Sequence, residues 1–282
     1  MTKGDEQMLH FLAAYEGLTR RRYAAALTQF ATWYQQIYRA APDAALLTAE
    51  EVRAYRNALS ARGLQAATVN VHLAALRGQV RSCGRAVRVK GVRRVLPAIA
   101  HLNGRELGRL LAVAAGDSWQ AKRNVALLTL LARAGLRVSE ALAVTLGDIE
   151  MGERSGQVLV KQGKGLKERV VPLSKEARVA LAVYLAVRPT PALTDCVFLT
   201  RSRGALTSRD AQRIVTQAAR QAGIAKKVTP HTLRHTFATR FLEANPGDLA
   251  TLSRLLGHAS TTTTLRYLHP RSEQVQAMIE GL

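Results

Sequence analysis

The sequence is poor in cysteine, in aromatic residues and in long apolar runs. Only Cys83 and Cys196 are cysteines among 282 residues, and Phe, Trp and Tyr together make up 5%. Two cysteines cannot build a disulfide framework and do not have the spacing of zinc ligands, so a reducing compartment is expected. No apolar run approaches the roughly 20 residues needed to cross a bilayer, and the first residues lack the layout of a secretion signal. We therefore expect a cytoplasmic protein that does not enter a membrane.

Acidic residues are scarce beside basic ones. The chain has 41 Lys and Arg against 20 Asp and Glu, a net charge of +21. The excess is spread along the chain, with 15 basic and 6 acidic residues in 1–100 and 26 and 14 in 101–282. Because both halves are basic, the charge favours an extended polyanion contacted by both, and nucleic acid is the simplest one. A generally basic protein without such a partner is the alternative.

Apolar periodicity predicts a helical first domain over residues 1–84. One stripe at spacings of 4, 3, 4 and 3 runs along a helix that ends near Tyr38: Tyr23, Leu27, Phe30, Tyr34 and Ile37. Thr48 and Glu51 have the spacing of a capping box before a second helix, and a third is expected over 68–80. Residues 85–101 are basic and contain glycine, which predicts an extended linker that contacts phosphates. A solvated loop is the alternative for this segment.

The second domain, residues 102–282, mixes helices with one pair of strands. Helices are predicted near 104–115, 120–134, 174–187 and 207–222, then from Pro230 to about 243 and from Asp248 to Gly257. Residues 156–161 and 167–173 are strand-like, and a glycine-flanked turn joins them. The predicted fold is mainly α with a small β-hairpin or sheet.

Polar groups suited to phosphate chemistry concentrate late in the chain. His231 and Arg234 are three residues apart on one helix and lie on the same face, although such a pair alone is weak evidence. Four of the seven histidines lie between 231 and 269. His258 follows a helix-stopping glycine, and Tyr267 follows nine residues later. Lys164 stands at the predicted turn.

Five short motifs occur in a fixed order. They are Gly-Leu-Arg-x-Ser-Glu at 135–140, Gly-Lys-Gly-x-Lys-Glu-Arg at 163–169, His-x-Leu-Arg-His at 231–235, Leu-Leu-Gly-His at 255–258, and Tyr267. In this order and spacing the chain resembles the tyrosine recombinase (phage integrase) family, above all its short Xer-type and transposon-encoded members. The resemblance implies an N-terminal SAM-like core-binding domain and a catalytic domain. It also implies six catalytic residues: Arg137, Lys164, His231, Arg234, His258 and Tyr267.

These residue types suit attack on a phosphodiester. A free tyrosine hydroxyl has a pKa near 10 and needs a base or a positive field, and His231 is placed to accept its proton. Arg137 and Arg234 offer planar forks to the phosphate oxygens. Lys164 is the expected proton donor to the leaving 5′-oxygen, and His258 a phosphate hydrogen-bond donor. With no carboxylate cluster for Mg²⁺, we expect no metal and no cofactor.

Several nearby residues have other interpretations. Glu140 matches the acidic residue that supports the first arginine, so we expect a supporting role. His235 is interpreted as a hydrogen-bonding group on the helix face, because no third zinc ligand is in reach. Lys167 is the rival of Lys164, and His269 is interpreted as incidental.

The resemblance implies a site-specific recombinase that forms a 3′-phosphotyrosyl intermediate. Its expected partners are double-stranded DNA with an inverted-repeat site and three further copies in a homo-tetramer, or a related recombinase. Integration, excision and resolution all stay open. A type IB topoisomerase-like enzyme and a non-catalytic DNA-binding protein are the alternatives. The tail has one apolar face, formed by Val275, Met278, Ile279 and Leu282, for which we expect docking on a neighbouring copy, with docking on its own domain as the alternative.

Overall fold

The computed structural model describes residues 3–93, 100–161, 168–190, 195–257, 264 and 267. The chain forms two compact units, Met1–Pro97 and Ala98–Leu282. Two of the predicted site residues, Lys164 and His258, lie outside the described residues, as do Lys167, His269 and the tail. No helix within the described ranges has the length and apolar character of a membrane span.

The first unit is helical, as predicted. Its helices are α1 (Lys3–Ala13), α2 (Gly17–Tyr38), α3 (Ala49–Ala61) and α4 (Ala66–Ser82). The capping box before α3 is confirmed, because the Glu51 N–H donates to the Thr48 hydroxyl and the Thr48 N–H donates to the Glu51 carboxylate. Helix α1, whose Phe11 and Leu12 are buried, was not predicted.

The predicted apolar stripe of α2 packs for most of its length. Leu27 and Phe30 are buried, and Tyr23 and Tyr34 are half-buried against the same core. Ile37 is 58% exposed, so the packed part of the stripe ends before it. The final turn, in which Tyr38 is also exposed, reaches beyond the packed part of the helix.

Residues 85–93, part of the predicted linker, have no regular secondary structure and lie along the helices of the first unit. Val87 and Val89 are buried in the helical core. The Arg85 guanidinium donates to the carbonyls of Ala45 and Leu47. The Asn70 side chain pairs with both backbone groups of Val92. This part of the segment is therefore anchored to the first unit.

The second unit surrounds a small sheet with helices. Its elements are α5 (Gly104–Ala114), α6 (Trp119–Arg133), α7 (Val138–Ala143), β1 (Ile149–Met151), β2 (Gly156–Val160), β3 (Arg169–Pro172), α8 (Lys175–Leu185), α9 (Ser208–Gln221), α10 (Pro230–Ala244) and α11 (Leu249–Leu256). The predicted strand pair is confirmed as antiparallel β2 and β3, with Val158 opposite Val171. Strand β1 extends the sheet to the order β1-β2-β3 and was not predicted.

Helix α6 is central to the second unit. Leu127, Leu128, Leu130 and Leu131 are all fully buried, which is typical of a helix enclosed on every side. The helix ends at Arg133, and Gly135 follows it with a left-handed φ of +65° and packs so close to the Phe237 ring that an added Cβ would clash with it. The core thus fixes the backbone just before Arg137.

Candidate active site

Three helix ends bring the described candidates together. Arg137 stands at the start of α7. Helix α10 begins at Pro230 after a capping box in which the Thr232 N–H donates to the Thr229 hydroxyl, and it carries His231 and Arg234. Helix α11 ends at Gly257, which has φ of +60°. Of the six predicted catalytic residues, the structure describes Arg137, His231, Arg234 and Tyr267.

Glu140 is the centre of an arginine cluster. It accepts the Arg137 N–H at 2.8 Å and Arg137 Nη1 at 2.6 Å. Its two oxygens also accept Nη1 and Nη2 of Arg169, at 3.1 and 2.8 Å. Arg234 Nη1 lies 3.7 Å away. One carboxylate therefore faces three guanidiniums, and the four charged groups together carry an excess of positive charge.

The charge state of Glu140 follows from these contacts. Burial would raise the pKa of the Glu140 carboxyl, but hydrogen bonds from Arg169 and Arg137 outweigh that effect and hold it below its ordinary value. Glu140 is therefore an anion at neutral pH. Its contact with Arg137 agrees with the supporting role predicted for it.

Arg234 is held inside the protein. Its side chain is 3% exposed, and it donates through Nη1 to the Gly135 carbonyl at 2.7 Å and through Nη2 to the Leu256 carbonyl at 2.6 Å. Burial lowers the pKa of Arg234 to about 10. The guanidinium thus keeps its charge at neutral pH although it is surrounded by protein.

The three guanidiniums also hold the end of α11. The carbonyls of Leu255, Leu256 and Gly257 accept from Arg169 Nε at 2.8 Å, Arg234 Nη2 at 2.6 Å and Arg137 Nη2 at 2.9 Å. Carbonyls at a helix end have no partner within the helix and carry partial negative charge. The cluster fixes the backbone immediately before position 258.

Tyr267 lies beside α10. Its hydroxyl oxygen is 2.6 Å from Nδ1 of His235, and its ring packs against the cluster of Ala238, Leu252 and Leu256. His235 is buried, and its ring meets the exposed ring of His231 edge-on at 4.0 Å between centroids. The candidate nucleophile is therefore tied to the residue that follows Arg234.

Sequence reasoning missed two residues of this site. His235 is the hydrogen-bonding group that the sequence predicts, but it is buried and its partner, Tyr267, is not predicted. Arg169 received no role, although it closes the motif at 163–169. Both residues stand inside motifs that the sequence shows, and this position is the signal that could have identified them.

The arrangement combines a tyrosine hydroxyl, the candidate nucleophile, with two guanidiniums of the kind that binds an anionic phosphate. Within the described part of the chain, no three His, Cys, Asp or Glu side chains gather as metal ligands would. The one carboxylate at the site, Glu140, is occupied by arginine donors.

Two family models match the chain. The phage integrase family matches residues 101–274, and the phage integrase N-terminal SAM-like domain matches residues 6–81. The two matches fall on the two compact units.

Individual relatives agree with these matches. Tyrosine recombinase XerD of Caulobacter vibrioides is 38% identical over 250 residues, 82% of this chain and 80% of the relative. The XerH site-specific recombinase bound to its difH substrate has a TM-score of 0.76 at 24% identity, over 92% of this chain and 78% of that one. The Tn1549 transposon integrase with transposon right end DNA has a TM-score of 0.76 at 17% identity, over 100% and 99%. At these identities the two structures show a shared fold.

Proposed function

The chain belongs to the phage integrase family of tyrosine recombinases, and on that premise we propose that this site-specific recombinase cuts and rejoins DNA through Tyr267. The observation that carries the assignment is the position of the Tyr267 hydroxyl. It is bonded to His235, whose neighbour Arg234 belongs to the arginine cluster around Glu140. The proposed nucleophile therefore lies beside the helix that supplies one of its proposed phosphate-binding groups.

The reaction balances without a co-substrate. The Tyr267 oxygen attacks the phosphorus, a tyrosine–phosphorus bond forms, and the bond to the 5′-oxygen of the next nucleotide breaks. The phenol proton passes to a histidine, and the departing 5′-oxygen gains a proton. The 3′-phosphotyrosyl bond keeps the energy of the broken bond, so a second 5′-hydroxyl can reverse the step on another strand.

We propose a role in this reaction for each predicted catalytic residue besides the tyrosine. Arg137 and Arg234 stabilise charge on the non-bridging phosphate oxygens, an effect worth several kcal/mol for such donors. His231, beside His235, receives the phenol proton. Lys164 protonates the leaving oxygen and His258 donates to the phosphate, both carried over from the family motifs. The Glu140 oxygens accept from arginines, so this carboxylate is not available as a metal ligand. The proposed reaction depends on the arginine, histidine, lysine and tyrosine side chains alone.

We propose that the two units have different roles on DNA. We assign core binding to residues 1–84, catalysis to residues 102–282, and backbone contact to the basic segment 85–101. Four copies act on two DNA sites brought together in the cytoplasm, as integrase, resolvase or transposon-encoded recombinase. The positive charge of both halves and the DNA in the XerH and Tn1549 integrase complexes support a DNA partner.

A nicked-duplex assay tests the proposal. A binding site is first selected from random-sequence duplexes by gel shift, and versions with one nick at each position of its centre are then incubated with protein. A nick beside the cleavage point releases a short 5′-hydroxyl fragment and traps the covalent adduct. A stable adduct is expected, and its absence at every nick position would leave the non-catalytic DNA-binding alternative. Joining of the trapped strand to a second duplex separates a recombinase from a topoisomerase-like enzyme.

A further inference from the structure

We propose that Arg169 is a positioning residue of this site, which neutralises Glu140 and thereby leaves the charges of Arg137 and Arg234 to the DNA phosphate. The inference rests on the proposed function. It concerns a residue in strand β3, outside the six for which a catalytic role was predicted.

The contact between Arg169 and Glu140 is a two-pronged ion pair. Nη1 and Nη2 of Arg169 meet the two carboxylate oxygens at 3.1 and 2.8 Å. The side chains are only 9% and 8% exposed, so water screens the pair little. A planar guanidinium facing both oxygens is the strongest geometry that this pair of residues can adopt.

The exposures of the arginines separate their tasks. The Arg137 side chain is 41% exposed, whereas that of Arg169 is 9% exposed. Arg169 also donates through Nε to the Leu255 carbonyl at 2.8 Å. Arg169 is therefore fixed as a partner of protein groups, while Arg137 is open to an external anion.

Charge explains why a buried partner for Glu140 matters to catalysis. Glu140 and a DNA phosphate are both anions that attract Arg137 and Arg234. With Arg169 in place, its charge cancels that of Glu140, and the other two guanidiniums keep two positive charges for the phosphate. Without Arg169, the carboxylate would compete directly with the phosphate for the remaining arginines.

Removal of Arg169 should therefore harm the chemical step more than DNA binding. At saturating protein, Arg169→Met should slow adduct formation in the nicked-duplex assay by about 10²-fold, because Glu140 would then hold a guanidinium that otherwise serves the phosphate, and this is the usual cost of losing one transition-state donor. Its affinity for the uncut duplex should fall by less than about threefold, because many other phosphate contacts persist. Arg169→Lys, which keeps the charge but not the two-pronged geometry, should lie between Arg169→Met and wild type.

A double variant distinguishes charge balance from a structural role. Glu140→Gln removes the competing anion, so Arg169→Met with Glu140→Gln should react at least about tenfold faster than Arg169→Met alone, a coupling of the kind double-mutant cycles detect. If Arg169 acted only as a structural brace, the double variant would lose further hydrogen bonds and react no faster than the single one. That result would overturn the inference.

Arg188→Met is the matched control. Arg188 is half-buried in the second unit and donates to two backbone carbonyls, those of Val197 and Cys196, at 2.9 and 2.7 Å. It should lower the melting temperature to a similar extent while leaving the adduct rate unchanged. If Arg169→Met does not fold, Arg169→Gln, which also removes the charge, provides the same comparison alone and with Glu140→Gln.

The possible failures can be told apart. No adduct with the wild-type protein at any nick position overturns the proposed function and this inference with it. Equal adduct rates for wild type and Arg169→Met overturn the inference alone.

Discussion

Tyr267 and His235 share a hydrogen bond of 2.6 Å between the phenol oxygen and Nδ1 of the buried imidazole. The two residues are 32 positions apart, and the histidine directly follows Arg234 on α10. The direction of the bond depends on which ring nitrogen carries the proton. In either tautomer, the candidate nucleophile is held by the residue that follows Arg234 on this helix.

Replacement of Tyr267 by phenylalanine should abolish covalent adduct formation and leave DNA binding intact. The change removes only the hydroxyl, while the ring can keep its packing against Leu252 and Leu256. Gel shifts measure binding and the nicked-duplex assay measures adduct. An adduct formed by Tyr267→Phe would show that another residue is the nucleophile.

His235→Phe should slow adduct formation at least about tenfold, because His235 holds the Tyr267 hydroxyl by a hydrogen bond beside His231, the proposed proton acceptor. His235→Gln, which retains a polar group, should lose less. His101→Phe, a histidine of the same unit with no assigned role, is the control. A wild-type rate for His235→Phe would show that adduct formation does not depend on the contact between His235 and Tyr267.

Arg137→Ala and Arg234→Ala should each reduce the adduct rate at least about 10²-fold through loss of a charge donor. They should differ in stability. Arg234→Ala leaves the carbonyls of Gly135 and Leu256 without their donor, which costs about 2 kcal/mol or more, whereas the half-exposed Arg137 should cost less. Urea unfolding measures this difference. A rate within about threefold of wild type would remove that arginine from the catalytic set.

Excess EDTA should leave cleavage unchanged, because the proposed phosphate ligands are arginine, histidine and lysine side chains. The nicked-duplex assay with and without the chelator checks this. Cleavage lost with EDTA and restored by Mg²⁺ would require metal ligands that these side chains do not provide.

The first unit should lose stability in mild acid. His72 is buried, its Nδ1 lies 2.9 Å from the Tyr55 hydroxyl, and burial, with a smaller contribution from Arg62, lowers the pKa of His72 below its ordinary value of 6.5. The unfolded chain therefore binds this proton more readily, so the free energy of unfolding should fall as the pH drops below about 6.5. It should be steady above that value.

Trp33 makes this pH effect measurable. It packs 5.0 Å from Tyr55 between ring centroids, and in a Trp119→Phe background it is the only tryptophan. Urea midpoints from its fluorescence at pH 7.5 and 5.5 should differ, and the difference should shrink in His72→Gln. An unchanged difference would assign the titration to another group.

Local signals in the sequence predicted most of the helices. The capping box at Thr48 and Pro230 at a helix start act within one turn, so they can be recognised without knowledge of the fold. Strand β1 has three residues and no periodic pattern, so only its pairing with β2 defines it.

The site was predictable only as far as its motifs. Arg137, His231, Arg234 and Tyr267 each stand in a recognisable motif. The contacts of Arg169 with Glu140 and Leu255 span 29 and 86 positions, and no local pattern encodes them. Ile37 shows the reverse case, in which a correct helical period extends past the end of the packed surface.

The end of α11 has one more consequence. Its last carbonyls occupy donors on Arg137 and Arg234, so a phosphate that takes these donors must displace the protein's own backbone. The net affinity for the phosphate is then the difference between two sets of charge-assisted hydrogen bonds. Reversible phosphate binding of this kind suits an enzyme that has to release every DNA strand it joins.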